Sequence, residues 1–261
     1  MNKTGETLSI GSLTYTINPK DDFFRGVPTI LNSEEAALVI AEKIFNSIPD
    51  GEKWVDLDFG PKDDKDVNGN RLSLYFNGEG PKGYRKADDI IWLRPEDYCD
   101  ERAQFIDDGA GSNDVKQGEI GDCWFIGALS VLATKDELLR GGASQLKNLG
   151  EDCEVDNKLA FGLSKGVYPP IFHFYRKKGI YVMRFFKEFK WRYVIIDDRL
   201  PCSKTNRIPV FGKCTNLHEL WVPLIEKAYA KIHGCYETLI SGFIDDALTD
   251  LTGLVAEKIK T

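Results

Sequence analysis

A chain of 261 residues, 42% apolar and 29% charged, is long enough to bury a substantial core as one large domain or two smaller ones. Its net charge of −7 gives no electrostatic reason to expect nucleic acid or an anionic membrane as partner. No apolar run approaches the length of a membrane span, and the start Met1-Asn2-Lys3-Thr4-Gly5-Glu6 lacks the apolar stretch of a secretory signal. The expected setting is therefore the cytoplasm, where six scattered cysteines stay reduced. No Cys-x-x-Cys pair occurs, so no structural zinc site is expected.

Residues 1–53 read as an N-terminal extension. Residues 8–17 alternate weakly, as a strand or hairpin does. Asn32 and Ser33 are helix-capping types, and Ala37, Leu38, Ile40, Ala41, Ile44 and Phe45 follow with helical spacing. That predicts an amphipathic helix ending near Ser47, before Pro49-Asp50-Gly51, docked on the domain surface. Residues 54–100 are rich in Gly and Pro and read as loops between short apolar pieces. Within them Asp64-x-Asp66-x-Asn68-Gly69 starts like a calcium loop, but Tyr75 stands at position twelve, so it reads as a turn. Residues 101–140 hold a cysteine motif and the helix it opens. Residues 141–170 are polar and glycine-rich, an exposed excursion. Residues 171–175, 180–186 and 191–196 read as strands, the last two around a turn near Glu188. Residues 216–233 read as a helix with Leu220, Leu224, Ile225, Ala228 and Ile232 on one face.

The most informative stretch is Gln117-Gly118-Glu119-Ile120-Gly121-Asp122-Cys123-Trp124-Phe125. Cys123 opens an apolar helical run, and a helix N-terminus stabilises a thiolate through its unpaired amides and dipole. Gly118 and Gly121 permit tight backbone geometry, and the Gln117 side-chain amide can meet an oxyanion beside the Cys123 backbone amide. A nucleophile of this kind needs a base. The three histidines do not supply one: His173 lies in an apolar stretch and reads as partly buried, and His218 and His233 bracket a helix as solvated or capping residues.

These residues resemble the calpain family of papain-like cysteine proteases. The resemblance extends through Phe105-Ile106-Asp107-Asp108-Gly109-Ala110, Asp197-Asp198-Arg199-Leu200-Pro201 and Leu220-Trp221-Val222-Pro223-Leu224-Ile225-Glu226-Lys227-Ala228-Tyr229-Ala230-Lys231 to Asp250-Leu251-Thr252-Gly253. Upstream, Trp92-Leu93-Arg94-Pro95 looks like the family's entry region, so the likeness covers about residues 54–261. It implies an α+β, papain-like fold, a mainly helical first half of the protease core with a small antiparallel hairpin. It gives Cys123 and Gln117 catalytic roles and places Gly121 and Trp124 at the substrate. The family's second subdomain carries its histidine in Gly-His-Ala and its asparagine in Asn-Pro-Trp, and neither pattern occurs here. Residues 54–261 are thus expected to be the first subdomain alone.

The resemblance also implies calcium, held by the backbone carbonyls of Asp107 and Gly109 and the carboxylates of Asp114 and Glu219. Two plainer readings stand beside it: Asn216-x-x-Glu219 is also a capping box, and Asp114 is also a solvated loop carboxylate. The functional expectation is a calcium-dependent calpain-like cysteine endopeptidase, present as its cysteine-bearing half and inactive in isolation. Its partners would be protein substrates or a second protease-core subdomain. The alternative is a non-catalytic scaffold or binding module, for example in a cytoskeletal or ciliary assembly with cytoskeletal proteins as partners. A cysteine acyltransferase such as a transglutaminase is a weaker third reading, since it too needs a histidine.

Overall fold

The computed structural model describes residues 28–61, 73–100, 102–106, 109–141 and 165–255, together with the backbone of residues 6–10 and 13–17. The calcium-loop lookalike at 64–69 and most of the excursion after residue 141 lie outside the described residues.

Strands β1 (Glu6–Ile10) and β2 (Leu13–Ile17) pair antiparallel as a hairpin. Strand β3 (Ile30–Leu31) leads into helix α1 (Glu34–Ser47). Ser33 caps α1 in an extended conformation, its hydroxyl accepting from the Ala36 amide at 3.2 Å. Ala37, Ile40, Ala41 and Ile44 then fall on one buried stripe, as a helical period requires. Strand β4 (Ile90–Leu93) ends at Pro95, which opens the single turn α2 (Pro95–Tyr98). Strand β5 (Val115–Lys116) precedes the cysteine loop, helix α3 (Cys123–Ala133) and the short α4 (Asp136–Arg140).

The longest strands, β6 (Ile180–Lys187) and β7 (Lys190–Asp197), form the expected hairpin. Its two-residue turn puts Glu188 and Phe189 at φ of 53° and 61°, the left-handed pair that matches strand twist. Strands β8 (Leu200–Ser203) and β9 (Lys213–Cys214) pair with β4 and β5. Helix α5 (Trp221–His233) and helix α6 (Ile244–Thr252) complete the described chain. The mixture of helices and small antiparallel sheets is α+β, as read from the sequence.

Three details differ from the sequence reading. Residues 171–175 are not a strand but part of a 3-10 helix, Pro170–Lys178. Pro170 starts it, Gly179 ends it at φ 69°, and Ile171, Phe172 and Tyr175 face inward while His173 and Phe174 are only half-buried. Pro170 at the start and inward-facing Ile171, Phe172 and Tyr175 let this apolar run bury itself by turning. Helix α5 starts at Trp221 rather than 216, because residues 216–219 form a turn closed by the Glu219 amide on the Asn216 carbonyl. The hairpin also gains β3 as a third strand, in the order β3-β7-β6.

Two apolar clusters result. The larger joins α3, α5, α6 and the hairpin; the smaller lies between α1, the 3-10 helix and the sheet, around Phe172, Ile180 and Ile195. Helix α5 threads the larger cluster, buried on every side from Trp221 to Lys231. Its large side chains, such as Trp221 and Tyr229, contribute roughly 1.5–3 kcal/mol each on leaving water. That leaves Glu226, Lys227 and Lys231 in the interior, each in need of a partner.

Candidate active site

Cys123 is the first residue of α3 and is exposed. The Asp122 carbonyl accepts the amides of Phe125 and Ile126 at 2.8 and 3.0 Å, so the intrahelical ladder begins beyond Cys123 and leaves its amide out. A thiol there faces free amides and the positive end of the helix dipole. The other described cysteines sit differently. Burial pushes Cys202 up to about 12 and raises Cys99, Cys214 and Cys235. Cys153 lies outside the described residues.

The loop before Cys123 is fixed from below. The Glu119 amide donates to the Val210 carbonyl at 2.8 Å, and Gly118 lies so close to Phe211 that a Cβ would fall 2.2 Å from its backbone. Only glycine fits there. Gln117, exposed at the rim, donates from Nε2 to the Ile120 carbonyl at 3.1 Å. That bond orients the amide and uses one of its two hydrogens. Arg85 bridges both oxygens of Glu119 at 2.8 and 2.7 Å and braces the outer face.

Gly121 and Trp124 connect the loop to the segment before α6. The Ser241 amide donates to the Gly121 carbonyl at 3.0 Å, and the Trp124 indole donates to the Leu239 carbonyl at 2.8 Å. A Cβ on Gly242 would lie 2.4 Å from the Trp124 ring, so the segment lies flat against it. A cavity of about 320 Å³ opens beside Trp124, with Lys187, Tyr229, His233, Phe243 and Asp250 among its walls. The contacts of Asp122, Ser241 and Gly242 are the part of this site that sequence reasoning missed. An acid immediately before the cysteine that opens an apolar run was the available signal.

No imidazole reaches the thiol among the described residues. His173 meets the Tyr168 hydroxyl at 3.4 Å, and burial lowers its pKa to about 4. His218 lies 3.1 Å from Asp100. His233 is not the solvated cap expected. It packs on Tyr229 with ring centroids 4.5 Å apart, its Nε2 is buried without a partner, and burial brings its pKa to about 4.

The predicted calcium ligands are only partly described. Asp107 lies outside the described residues. Gly109 sits at φ 110° in the loop before β5. Asp114 is half-buried, and its Oδ2 accepts the Gly111 amide at 2.6 Å. Glu219 is 2% exposed, and the segment around it is bonded to the loop, with the Leu220 amide on the Gln104 carbonyl at 2.9 Å and the Trp221 amide on the Phe105 carbonyl at 3.0 Å. Asp114 and Glu219 both lie near enough to Cys214 to add to the burial that raises its pKa. Glu219 is not the third helical residue of a capping box, since α5 begins after it. Among the described residues no three His, Cys, Asp or Glu side chains gather as a metal cluster. A site with two carboxylates and two carbonyls is a different donor set, and hard oxygen donors of that kind suit Ca²⁺.

Residues 63–261 match a family profile described as calpain family cysteine protease. The chain is 32% identical over 234 residues to the calpain-type cysteine protease DEK1 of Arabidopsis thaliana, a match covering 88% of this chain and 9% of that protein. It is 36% identical over 188 residues to calpain-5 of Mus musculus, covering 72% of this chain and 25% of that one. To calpain-10 of Mus musculus it is 36% identical over 186 residues, 71% and 24%. The chain thus spans a quarter or less of the length of these relatives.

Proposed function

Since the chain belongs to the calpain family of cysteine proteases, we propose that it is the nucleophile-bearing half of a calcium-dependent, papain-like endopeptidase. Residues 54–261 are the first subdomain of the protease core and residues 1–53 an extension attached to it. The observation that carries this reading is an exposed Cys123 at the start of α3, with the Gln117 amide anchored on the Ile120 carbonyl in the loop before it. Cys123 attacks a peptide carbonyl, and its backbone amide and the free Gln117 N–H take the developing oxyanion. The proton on the thiol and the one needed by the leaving amine require an imidazole, which no described residue provides. Gly121 and Trp124 set the floor against which substrate lies. The partners are protein substrates and a second subdomain bearing the base.

The isolated chain is therefore expected to hydrolyse no peptide, while iodoacetamide modifies Cys123 ahead of the other cysteines. Turnover abolished by Cys123→Ala would overturn the incomplete site. Equal modification of all the cysteines would overturn the activated thiol and favour the second reading, a non-catalytic calpain-like scaffold, for which the absent imidazole contact is the supporting observation.

Calcium would be held by the carboxylates of Asp114 and Glu219 with the carbonyls of Asp107 and Gly109, tying the loop before β5 to the start of α5. Two carboxylates give low ligand charge and a Kd of roughly 10⁻⁵ M or above. Binding then adds about 2.7 kcal/mol at about a hundredfold excess of calcium over Kd. A thermal melt with and without millimolar calcium reads it, and Asp114→Ala should abolish the shift. A wild type that melts unchanged and shows no heat of binding refutes the site.

A further inference from the structure

Beneath Cys123 lies a pair of acids that the chemistry above does not use. Asp122 is fully buried and occupies the capping position of α3, yet its side chain caps nothing. Neither of its oxygens meets a hydrogen-bond donor while it and its neighbours hold their ordinary charges. The side chain within hydrogen-bonding reach of it is another acid, Glu226, 1% exposed in the middle of α5. Glu226 is in turn held by the Gly212 amide, which lies 2.9 and 3.0 Å from its two oxygens. A Cβ on Gly212 would stand 2.9 Å from Glu226 Oε1 and 2.7 Å from Ile126 Cδ1, so this wall has no room for a side chain.

Two carboxylates in contact and out of water do not both stay ionised. The groups facing them do not cancel the charge. Lys213 acts on Glu226 through space, while its ammonium donates to the Pro209 carbonyl at 3.3 Å. The Tyr236 hydroxyl and the Cys202 thiol are neutral, and burial raises the pKa of both. Asp197, the remaining charge near Tyr236, is taken by Lys227 and Arg199. Burial raises both acids of the pair, and the Asp122 charge raises Glu226 further. A carboxyl can donate to Asp122 only if it keeps its proton.

We propose that Asp122 and Glu226 share one proton at neutral pH, and that this hydrogen bond clamps the nucleophile loop to α5 and sets how Cys123 is presented. Both are positioning residues, since neither touches reacting atoms. The presentation of Cys123 rests on its being the reactive thiol; the shared proton does not. Glu226 keeps its proton in the fold where the unfolded chain has lost it. The stability it confers is therefore complete below the ordinary glutamate range, near pH 4, and is lost as pH rises through the pair's ionisation. Losing that proton turns the clamp into a repulsion.

The test uses the full chain and two variants, Glu226→Gln and Asp122→Asn, each of which replaces the acid proton by an amide N–H that donates at any pH. Carbon-13 carboxyl resonances report protonation directly. The Glu226 signal, identified by its absence in E226Q, should titrate above the ordinary glutamate range. Urea midpoints from about pH 5 to about pH 8 should fall for wild type relative to E226Q, where ordinary carboxyls are already ionised. The iodoacetamide rate at Cys123 should fall for wild type relative to E226Q over the same range. Ordinary titration of both acids, with midpoint and rate differences independent of pH, overturns the shared proton. A titration shift with no change in relative alkylation overturns the positioning role. If E226Q does not fold, D122N gives the same readings. Equal modification of every cysteine in wild type sinks the nucleophile reading alone, because the carbon resonances still decide the pair.

Discussion

Helix α5 buries charge in two ways within two turns. On one side Lys227 and Lys231 each meet an acid. Lys227 donates to Asp197 and, at 2.7 Å, to the Arg199 carbonyl; Lys231 donates to Asp56 at 2.6 Å and to the Ile195 carbonyl at 2.8 Å. On the other side Glu226 meets Asp122 and an amide. The first side is a network of opposite charges that reaches from residue 56 to residue 231 and holds α5 against the end of the hairpin. The second holds α5 against the nucleophile loop with two like acids and no opposing charge. Burial works to raise Asp197, but the charges of Lys227 and Arg199 and their hydrogen bonds keep it below the ordinary carboxylate range. What Asp197 contributes is thus complete above about pH 4 and is lost as pH falls through its folded value. The acid pair responds in the other direction. One helix therefore secures the scaffold with paired opposite charges and the site with a pair of like acids.

The largest effect should come from breaking the ionic side. Lys227→Ala leaves Asp197 and two carbonyls without their buried donor, and an expected loss of about 3–5 kcal/mol would show as a lower urea midpoint. Crowding the acid side should cost less. Gly212→Ala pushes a methyl against Glu226 and Ile126, and about 1–3 kcal/mol is expected from overpacking, together with slower alkylation of Cys123. The contrast is sharpened if Lys227→Ala lowers stability without changing the alkylation rate of the remaining folded protein. The smallest effect lies at the end of the helix. His233 is neutral in the fold because burial lowers its pKa to about 4, from 6.5 when solvated. Its share of stability is complete above pH 6.5 and is lost as pH falls toward about 4, since the unfolded chain takes up the proton first. His233→Gln should melt with a shallower dependence on pH between about 7 and 5 than wild type.

The parts of this architecture set by short-range chemistry were readable in the sequence. Ser33 ahead of a helical stripe, a turn near Glu188, and an apolar helical run after Cys123 each depend on neighbours within a few positions. Residues 171–175 misled because a short apolar run alone does not say whether it is buried as a strand or as a helical turn. Strand β3 is two residues long, too short for any period to show, and only its pairing with Tyr193 and Val194 makes it a strand. The partnership of Asp122 with Glu226 was unreadable for a related reason. The distance between the two acids along the chain conceals which group each meets. Glu219 shows the same limit. Its spacing from Asn216 matched a cap, and the helix began two residues later.

The link between Asp56 and Lys231 spans 175 residues. A chain made from its N-terminus at about 5–20 residues per second exposes the acid roughly 10–35 s before its lysine exists. During that interval Asp56 lacks its lysine, and β3 has no β7 to join until residue 197 has been made. The hairpin and α3 are local and need no such wait. Strand β3 and α1 have their partners in the hairpin and the 3-10 helix before α5 exists, whereas the late arrival of this one helix closes both the ionic network and the acid pair. A ribosome-bound chain halted before Trp221 should accordingly be cut by protease near Asp56, and one extended past His233 and clear of the exit tunnel should resist.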